Sequence, residues 1–259
     1  MSDIIIEMIT ILPGRNRKGE PEGFDEIRIR PGDTISIVGP TGSGKSAFIN
    51  DIEIFANRDT VTGRQVLINS EHPPEDYIRD PARKPVALIT QNTRCLCDLS
   101  VEDFLLMHTQ SRGYHGQDLI DVTVDLANQF TGEAINPNVR MTQLSGGQTR
   151  SLMIADAILI SNTPIILLDE VENAGIFKDR VMVALRQYHK ALLFVTHDPL
   201  VSLLSDRRIV MQDGAVAKVI IPNGIEHLAV EQMLAFDVAM ARAREMIRAG
   251  ELITSAIPA

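Results

Sequence analysis

The chain has 259 residues and a formal net charge of -9, from 25 basic and 34 acidic side chains. Hydrophobic residues make up 44%, ample for a packed core, which excludes a disordered chain. The acidic balance argues against a protein that coats nucleic acid or anionic lipid, and the absence of Trp with only 4% aromatics argues against a platform for stacking bases.

Met1 to Glu7 carries acid at Asp3 and Glu7 around a three-residue apolar run, which is not the pattern of a signal peptide. No apolar run approaches the ~18 residues that cross a bilayer, so direct membrane insertion is not expected. Ile4 to Leu12 reads as a strand, and Pro13 to Gly23 as a loop rich in Gly, Pro and charge. Ile27 and Ile29 alternate with Arg28 and Arg30, the period of a half-buried strand. Thr34 to Val38 is a β-branched run that stops at Gly39, and Val66 to Ile68 and Val86 to Thr90 are further strands. Ser100, with Asp103 three residues on, opens a helix in a capping-box pattern. Gln117 to Phe130 and Ser145 to Ile160 are helical. Ile165 to Leu168 and Leu192 to Val195 read as buried parallel strands. Arg208 to Gln212 and Val216 to Ile221 flank Asp213-Gly214, a hairpin signal. Glu226 to Arg248 forms a last helix, with an apolar stripe of Ile225, Ala229, Met233, Phe236, Met240, Ala243 and Ile247. This order predicts an α/β fold: a mostly parallel core sheet, an antiparallel β element and a helical insertion between about 95 and 160.

Gly39-Pro40-Thr41-Gly42-Ser43-Gly44-Lys45-Ser46 matches the phosphate-loop pattern between a strand and a helix. Its glycines let backbone N–H groups turn toward phosphate oxygens, and the helix N-terminus adds a favourable field. Lys45 is expected to reach the β- and γ-phosphates and the Ser46 hydroxyl to ligate Mg²⁺. Asp169 and Glu170 close the Ile165 strand; an Asp there can hold Mg²⁺ through water, and a following Glu can polarise an attacking water.

With these two motifs, Leu144-Ser145-Gly146-Gly147-Gln148 resembles the signature of the ATP-binding cassette (ABC) ATPases. The resemblance runs from about Ile4 to Ile221. It implies an ABC-type P-loop NTPase unit over 1–224, with 225–259 as C-terminal helix and tail. It also implies that Gln91 contacts Mg²⁺ and the attacking water, that Glu170 is the general base, and that His197 holds the γ-phosphate. Asp169 and Ser46 join Gln91 around the metal. Ser145, Gly146, Gly147 and Gln148 then bind ATP held by a second copy, so a homodimer around two ATP is expected.

The sequence departs from the family pattern in three places. No aromatic precedes the phosphate loop to stack on adenine; Arg15 or Arg17 could serve, against the blander reading of a solvated loop. Ile176 stands where an acid usually ends the loop after Glu170, and Asp156 sits between Ala155 and Ala157 in the helix after the signature. Cys95 and Cys97 follow Gln91, where transporter members dock a membrane partner. They read as semi-buried reduced thiols rather than as a metal site, in keeping with a cytoplasmic chain. With Leu96 they give this segment an apolar centre between Arg94 and Asp98. The last helix is expected to pack on the domain, with partner binding or dimerisation as the alternative. Two functions remain open at this point. One is the ATP-hydrolysing subunit of a membrane permease, peripheral at the inner face of the membrane. The other is a soluble ABC ATPase that activates or remodels a protein client.

Overall fold

The computed structural model describes residues 5–93, 95, 97–114, 116–169 and 176–253. Strands β1 (Ile9–Leu12) and β2 (Ile27–Ile29) pair antiparallel. Strand β3 (Thr34–Val38) leads into helix α1 (Lys45–Glu53), and β4 (Gln65–Ile68) returns to β1, giving a three-stranded sheet in the order β2-β1-β4. The first strand begins at Ile9, not at Ile4. Upstream of it, Asn69 takes over the backbone: its Oδ1 accepts from the N–H groups of Glu7 and Met8, and its Nδ2 donates to the Ile5 carbonyl. A side chain thus satisfies polar groups that a strand ladder would otherwise pair.

After the short helix α2 (Glu75–Arg79) comes β5 (Val86–Thr90), then α3 (Val101–Ser111), α4 (Gln117–Phe130) and α5 (Gly146–Leu159). Strand β6 (Ile165–Asp169), α6 (Lys178–Gln187), β7 (Ala191–Val195), α7 (Pro199–Leu204) and the β8–β9 hairpin (Arg207–Gln212, Ala215–Ile220) follow, with α8 (Gly224–Arg248) last. The six-stranded sheet runs β5-β6-β7-β3-β8-β9 and is parallel except at the hairpin. The expected mostly parallel core, antiparallel element and helical insertion are all present. Ser100 caps α3 by accepting from the Asp103 N–H at 3.0 Å.

Strand period 2 divides the core between the two faces of this sheet. Ile165 and Leu167 of β6 and Leu193 and Val195 of β7 pack with Phe48, Ile49 and Ile52 of α1. Their neighbours Ile166, Leu168, Leu192 and Phe194 pack with α5 and α6. Strands covered on both sides carry continuous apolar runs, which is why they are legible as parallel strands.

Beneath α1 lies a fully buried guanidinium. Arg64 donates from Nε to Glu22 Oε2 (2.9 Å), from Nη2 to Glu22 Oε1 (2.7 Å) and to the Gly214 carbonyl (2.9 Å), and from Nη1 to Asp51 Oδ2 (3.0 Å). It also lies over the Phe48 ring, 5.0 Å from the centroid. Glu22 accepts further from the N–H groups of Gly14 and Val216, and Asp51 from the Thr62 hydroxyl. One side chain therefore joins the loop after β1, helix α1 and the hairpin turn. Burial works to raise the Glu22 pKa, but the Arg64 bonds and charge, with the two N–H donors, outweigh it and hold the carboxyl below its ordinary 4.5.

Removing one member of such a network strands the others in a dry site. Arg64→Met is expected to destabilise the fold by about 3–5 kcal/mol, read from urea unfolding. Because the folded Glu22 pKa is depressed, its contribution is complete above the ordinary carboxylate value and is lost as pH falls through the folded one. Glu22→Gln should accordingly flatten the acid limb of the stability–pH curve, and an unchanged limb would refute the role of this carboxylate.

Candidate nucleotide site

Three sequence motifs, the phosphate loop, Gln91 with Asp169, and His197, converge on the C-terminal edge of the parallel strands. The phosphate loop follows β3, Gln91 follows β5, Asp169 ends β6 and His197 follows β7. Ligands of open α/β sheets bind at this edge. The Gln91 N–H donates to the Asp169 carbonyl at 3.0 Å, and the Thr196 N–H to the Ile37 carbonyl at 3.2 Å, so the strand ends are tied in two pairs, β5 with β6 and β7 with β3. His197 lines a cavity with Val38 and Gly39 of the phosphate-loop strand and with Arg208.

The phosphate loop is held open by its packing. Gly44 adopts a left-handed conformation (φ 101) as the N-cap of α1, and no side chain caps that helix. A Cβ there would stand 2.8 Å from the Gly214 Cα, so the hairpin turn excludes every other residue. Lys45 is 5% exposed, and its Nζ donates to the carbonyls of Gly39 (2.9 Å) and Pro40 (3.2 Å). Uncapped N–H groups, a helix N-terminus and a buried ammonium in one concavity fit a polyphosphate. Thr41, Gly42 and Ser46 are exposed at the mouth. The Ser46 hydroxyl there, with Asp169 at the end of β6, is a donor set suited to Mg²⁺.

The signature lies elsewhere. Ser145 caps α5 in the reciprocal capping box that the residue types allow: its hydroxyl accepts from the Gln148 N–H, and Gln148 Oε1 accepts from the Ser145 N–H. Gln148 Nε2 donates to Ala134, and Ser145 and Gly146 face solvent. Among the described residues no hydrogen bond joins 145–148 to 39–46. Glu170 lies outside the described residues, as do Arg94 and Leu96.

Several residues with a part in the site carried no local signal. Arg17 is exposed in its loop, where its guanidinium donates to the Gly42 carbonyl and its stem lies against Gly214. Arg150 is buried, donates from Nη1 to the Gln91 carbonyl and lies against Gly146, joining the signature to the Gln91 loop. Lys178 pairs with Asp198, which caps α7 immediately after His197. Burial works to raise the Asp198 pKa, but the Lys178 bond and charge and the α7 N–H groups hold it below its ordinary value. Cys95 and Cys97 are half-buried, with sulfurs 3.0 Å apart and both packed on the helical core; burial, then Cys97, pushes the Cys95 thiol up.

The Asp156 departure also has a structural account. Asp156 is 5% exposed and lies 2.9 Å from His108 Nδ1 of α3, with the Ser161 hydroxyl at 3.3 Å. It fastens the signature helix to α3. Asp156→Ala is expected to cost about 0.5–1.5 kcal/mol, since it removes the acceptor of the half-buried His108 and Ser161 donors. Chemical denaturation of the variant would check this, and a stability equal to wild type would remove the pair from the account.

A nucleotide cassette is the class of protein that this sheet edge and loop define, and the comparisons agree. Residues 25–173 match the ABC transporter family, and the chain belongs to it. An uncharacterized ABC transporter ATP-binding protein of Methanocaldococcus jannaschii is 44% identical over 249 residues, 96% of this chain and 95% of that one. A putative multidrug export ATP-binding/permease protein of Staphylococcus aureus is 27% identical over 201 residues, which span 74% of this chain but only 34% of the relative. Among solved structures, the ADP conformation of an ATP-binding cassette of an ABC transporter superposes with a TM-score of 0.62 at 19% identity, covering 88% of this chain and 96% of the other. A dimeric cassette in a post-hydrolysis state bound to ADP and Pi gives 0.61 at 24% identity, covering 83% and 99%. These two show the shared fold. Among the described residues no helix is long and apolar enough to cross a membrane.

Proposed function

We propose that the chain is an ATP-hydrolysing subunit that pairs with a second copy around two ATP molecules and drives a membrane permease from its cytoplasmic side. The observation that carries this reading is the presence of two anion-accepting helix starts that, among the described residues, no hydrogen bond joins. The uncapped start of α1 lies in the phosphate loop, while the start of α5, with Gly146 exposed, has its own cap. A single chain leaves the second without a phosphate, and a two-fold pair supplies one to each. The S. aureus relative is named as both ATP-binding and permease protein, which supports a permease as the partner here.

In this mechanism Lys45 turns its ammonium from the Gly39 and Pro40 carbonyls onto the β- and γ-phosphates. Ser46, Asp169 and Gln91 would hold Mg²⁺, which would supply charge neutralisation at the phosphates. Glu170 takes the proton from the attacking water, and His197 donates to the γ-phosphate. Ser145, Gly146, Gly147 and Gln148 of one copy close on the nucleotide of the other. Arg150 ties the Gln91 loop to Gly146, so a change at Gln91 is felt at the start of α5.

Lys45→Ala is expected to weaken nucleotide binding by at least about tenfold, or 1.4 kcal/mol, measured by titration calorimetry. Glu170→Gln should bind ATP, turn it over about 10²–10⁴-fold more slowly and accumulate as a nucleotide-bound dimer. Wild-type turnover in that variant would refute the general-base assignment.

Base recognition follows from Arg17. With its guanidinium on the Gly42 carbonyl and no aromatic before the phosphate loop, adenine adds little to affinity. The dissociation constants of ATP and GTP are expected to differ by less than about tenfold. A competition assay showing a much larger preference for ATP would require a base-reading residue elsewhere.

A further inference from the structure

Helix α8 packs on α7, and near its N-terminal end Glu226 pairs with Arg208 at 3.1 Å. Farther along, Phe236 is 47% exposed, Met240 46% and Ile247 62%. These belong to one line. Ala229, Met233, Phe236, Met240, Ala243 and Ile247 follow one another at spacings of four, three, four, three and four residues. That is the a/d repeat of a coiled-coil seam, narrower than the stripe of a helix seated on a globular core.

The seam complements itself in one orientation. Laid antiparallel about a two-fold axis at Val238, it sets Ala229 against Ile247, Met233 against Ala243 and Phe236 against Met240. Each of two layers puts a small residue opposite a large one, and the central layer joins the two largest residues at the axis. A parallel pair would instead stack Phe236 on itself and Ala229 and Ala243 on themselves, crowding one layer and leaving gaps in two. Charge points the same way. Residues 224–238 contain three acids and no Lys or Arg, whereas 239–248 contain three Arg and one acid. Antiparallel pairing lays the acidic half of one helix beside the basic half of the other; parallel pairing sets like beside like.

We infer that α8 is a self-association surface whose occupant is α8 of a second copy of this chain, packed antiparallel through the Ala229–Ile247 seam. The contact needs no nucleotide, so it stands independently of the ATP-bound pair proposed above. It would keep two copies together after ATP is lost. Its root is also placed to feel the site, because Arg208, the partner of Glu226, lines the cavity beside His197.

The test uses the full chain without nucleotide, by light scattering across a micromolar concentration series. Wild type is expected to show a reversible, concentration-dependent dimer. Phe236→Glu/Ile247→Glu should remain monomeric, with an unchanged circular dichroism spectrum. A monomeric wild type, or a folded double variant that still dimerises, overturns the proposal. Orientation is read by cross-linking in a Cys95→Ser/Cys97→Ser background. Met233→Cys/Ala243→Cys should form an intersubunit disulfide under mild oxidation, and each single variant should not. Cross-linking of the single variants instead indicates a parallel pair and overturns the antiparallel one. Adding ATP to Phe236→Glu/Ile247→Glu in the Glu170→Gln background separates the two readings. A dimer there supports the nucleotide-bound pair whatever the fate of the α8 contact.

Discussion

The guanidinium of Arg64 is the constraint on which the phosphate loop rests. A phosphate-binding loop must keep most of its N–H groups free for a ligand, so it has few hydrogen bonds of its own, here the Ser43 N–H to the Pro40 carbonyl at 3.0 Å and the Lys45 ammonium to the Gly39 and Pro40 carbonyls. Here the support comes from beneath. Arg64 holds Asp51 in α1, Glu22 in the loop after β1 and the Gly214 carbonyl in the hairpin, and Gly214 in turn sits against Gly44 at the start of α1. Its single positive charge faces two carboxylates, and the excess negative charge is met by the Gly14 and Val216 N–H groups and the Thr62 hydroxyl. Every member has a partner, so the network can hold one geometry without water.

The parts of the site that were legible in the sequence are those whose chemistry is local. Gly39 to Ser46 declares itself because the glycines, the Lys and the following helix lie within a dozen residues. Strands β3 and β5 and helix α4 have the bounds that their patterns gave, since a buried parallel strand and an amphipathic helix each carry their period within the segment. Arg64 could not be found that way. It precedes a strand and looks like one more charged loop residue, while its partners lie 42 and 150 positions away. Asp156 read as a break in a family pattern until His108, 48 residues off, was placed beside it. Arg17 read as a loop residue, and its bond to the Gly42 carbonyl, 25 positions on, carries no local signal. Helix α7 is a different case: Asp198-Pro199 is a cap followed by a first-turn proline, a local signal that the short span obscured. The start of β1 was misplaced because the isoleucines before it have strand propensity, whereas the Asn69 side chain, not a partner strand, takes up the Ile5 carbonyl and the Glu7 and Met8 N–H groups.

The arrangement of supports also fixes what can move. The phosphate loop is braced by a buried network and by hairpin packing, so it is the rigid reference of the molecule. The helices α3 to α5 form their own apolar cluster with part of the sheet. Among the described residues, their polar ties to the strand ends are few. Arg150 reaches the Gln91 carbonyl, the Phe177 N–H donates to the Phe130 carbonyl at 2.8 Å, and Arg180 donates to the Gln129 carbonyl while stacking on Phe177. Two of these meet at the end of α4, beside Ile176, and the third at the start of α5. Arg112, at the end of α3, adds a further tie by donating to the Ala82 carbonyl at 2.8 Å and the Ser161 carbonyl at 3.2 Å, so a rotation of α3–α5 relative to the sheet would strain all three places. Apolar contacts across a core slide at lower cost than charged networks break, since they lack direction. One anion-accepting helix start, at α1, is thus braced by a buried charged network, whereas the other, at α5, is held by Arg150 and by apolar packing. Such a division would suit the proposed pairing, in which the nucleotide would seat on the braced start and a second copy would close on it.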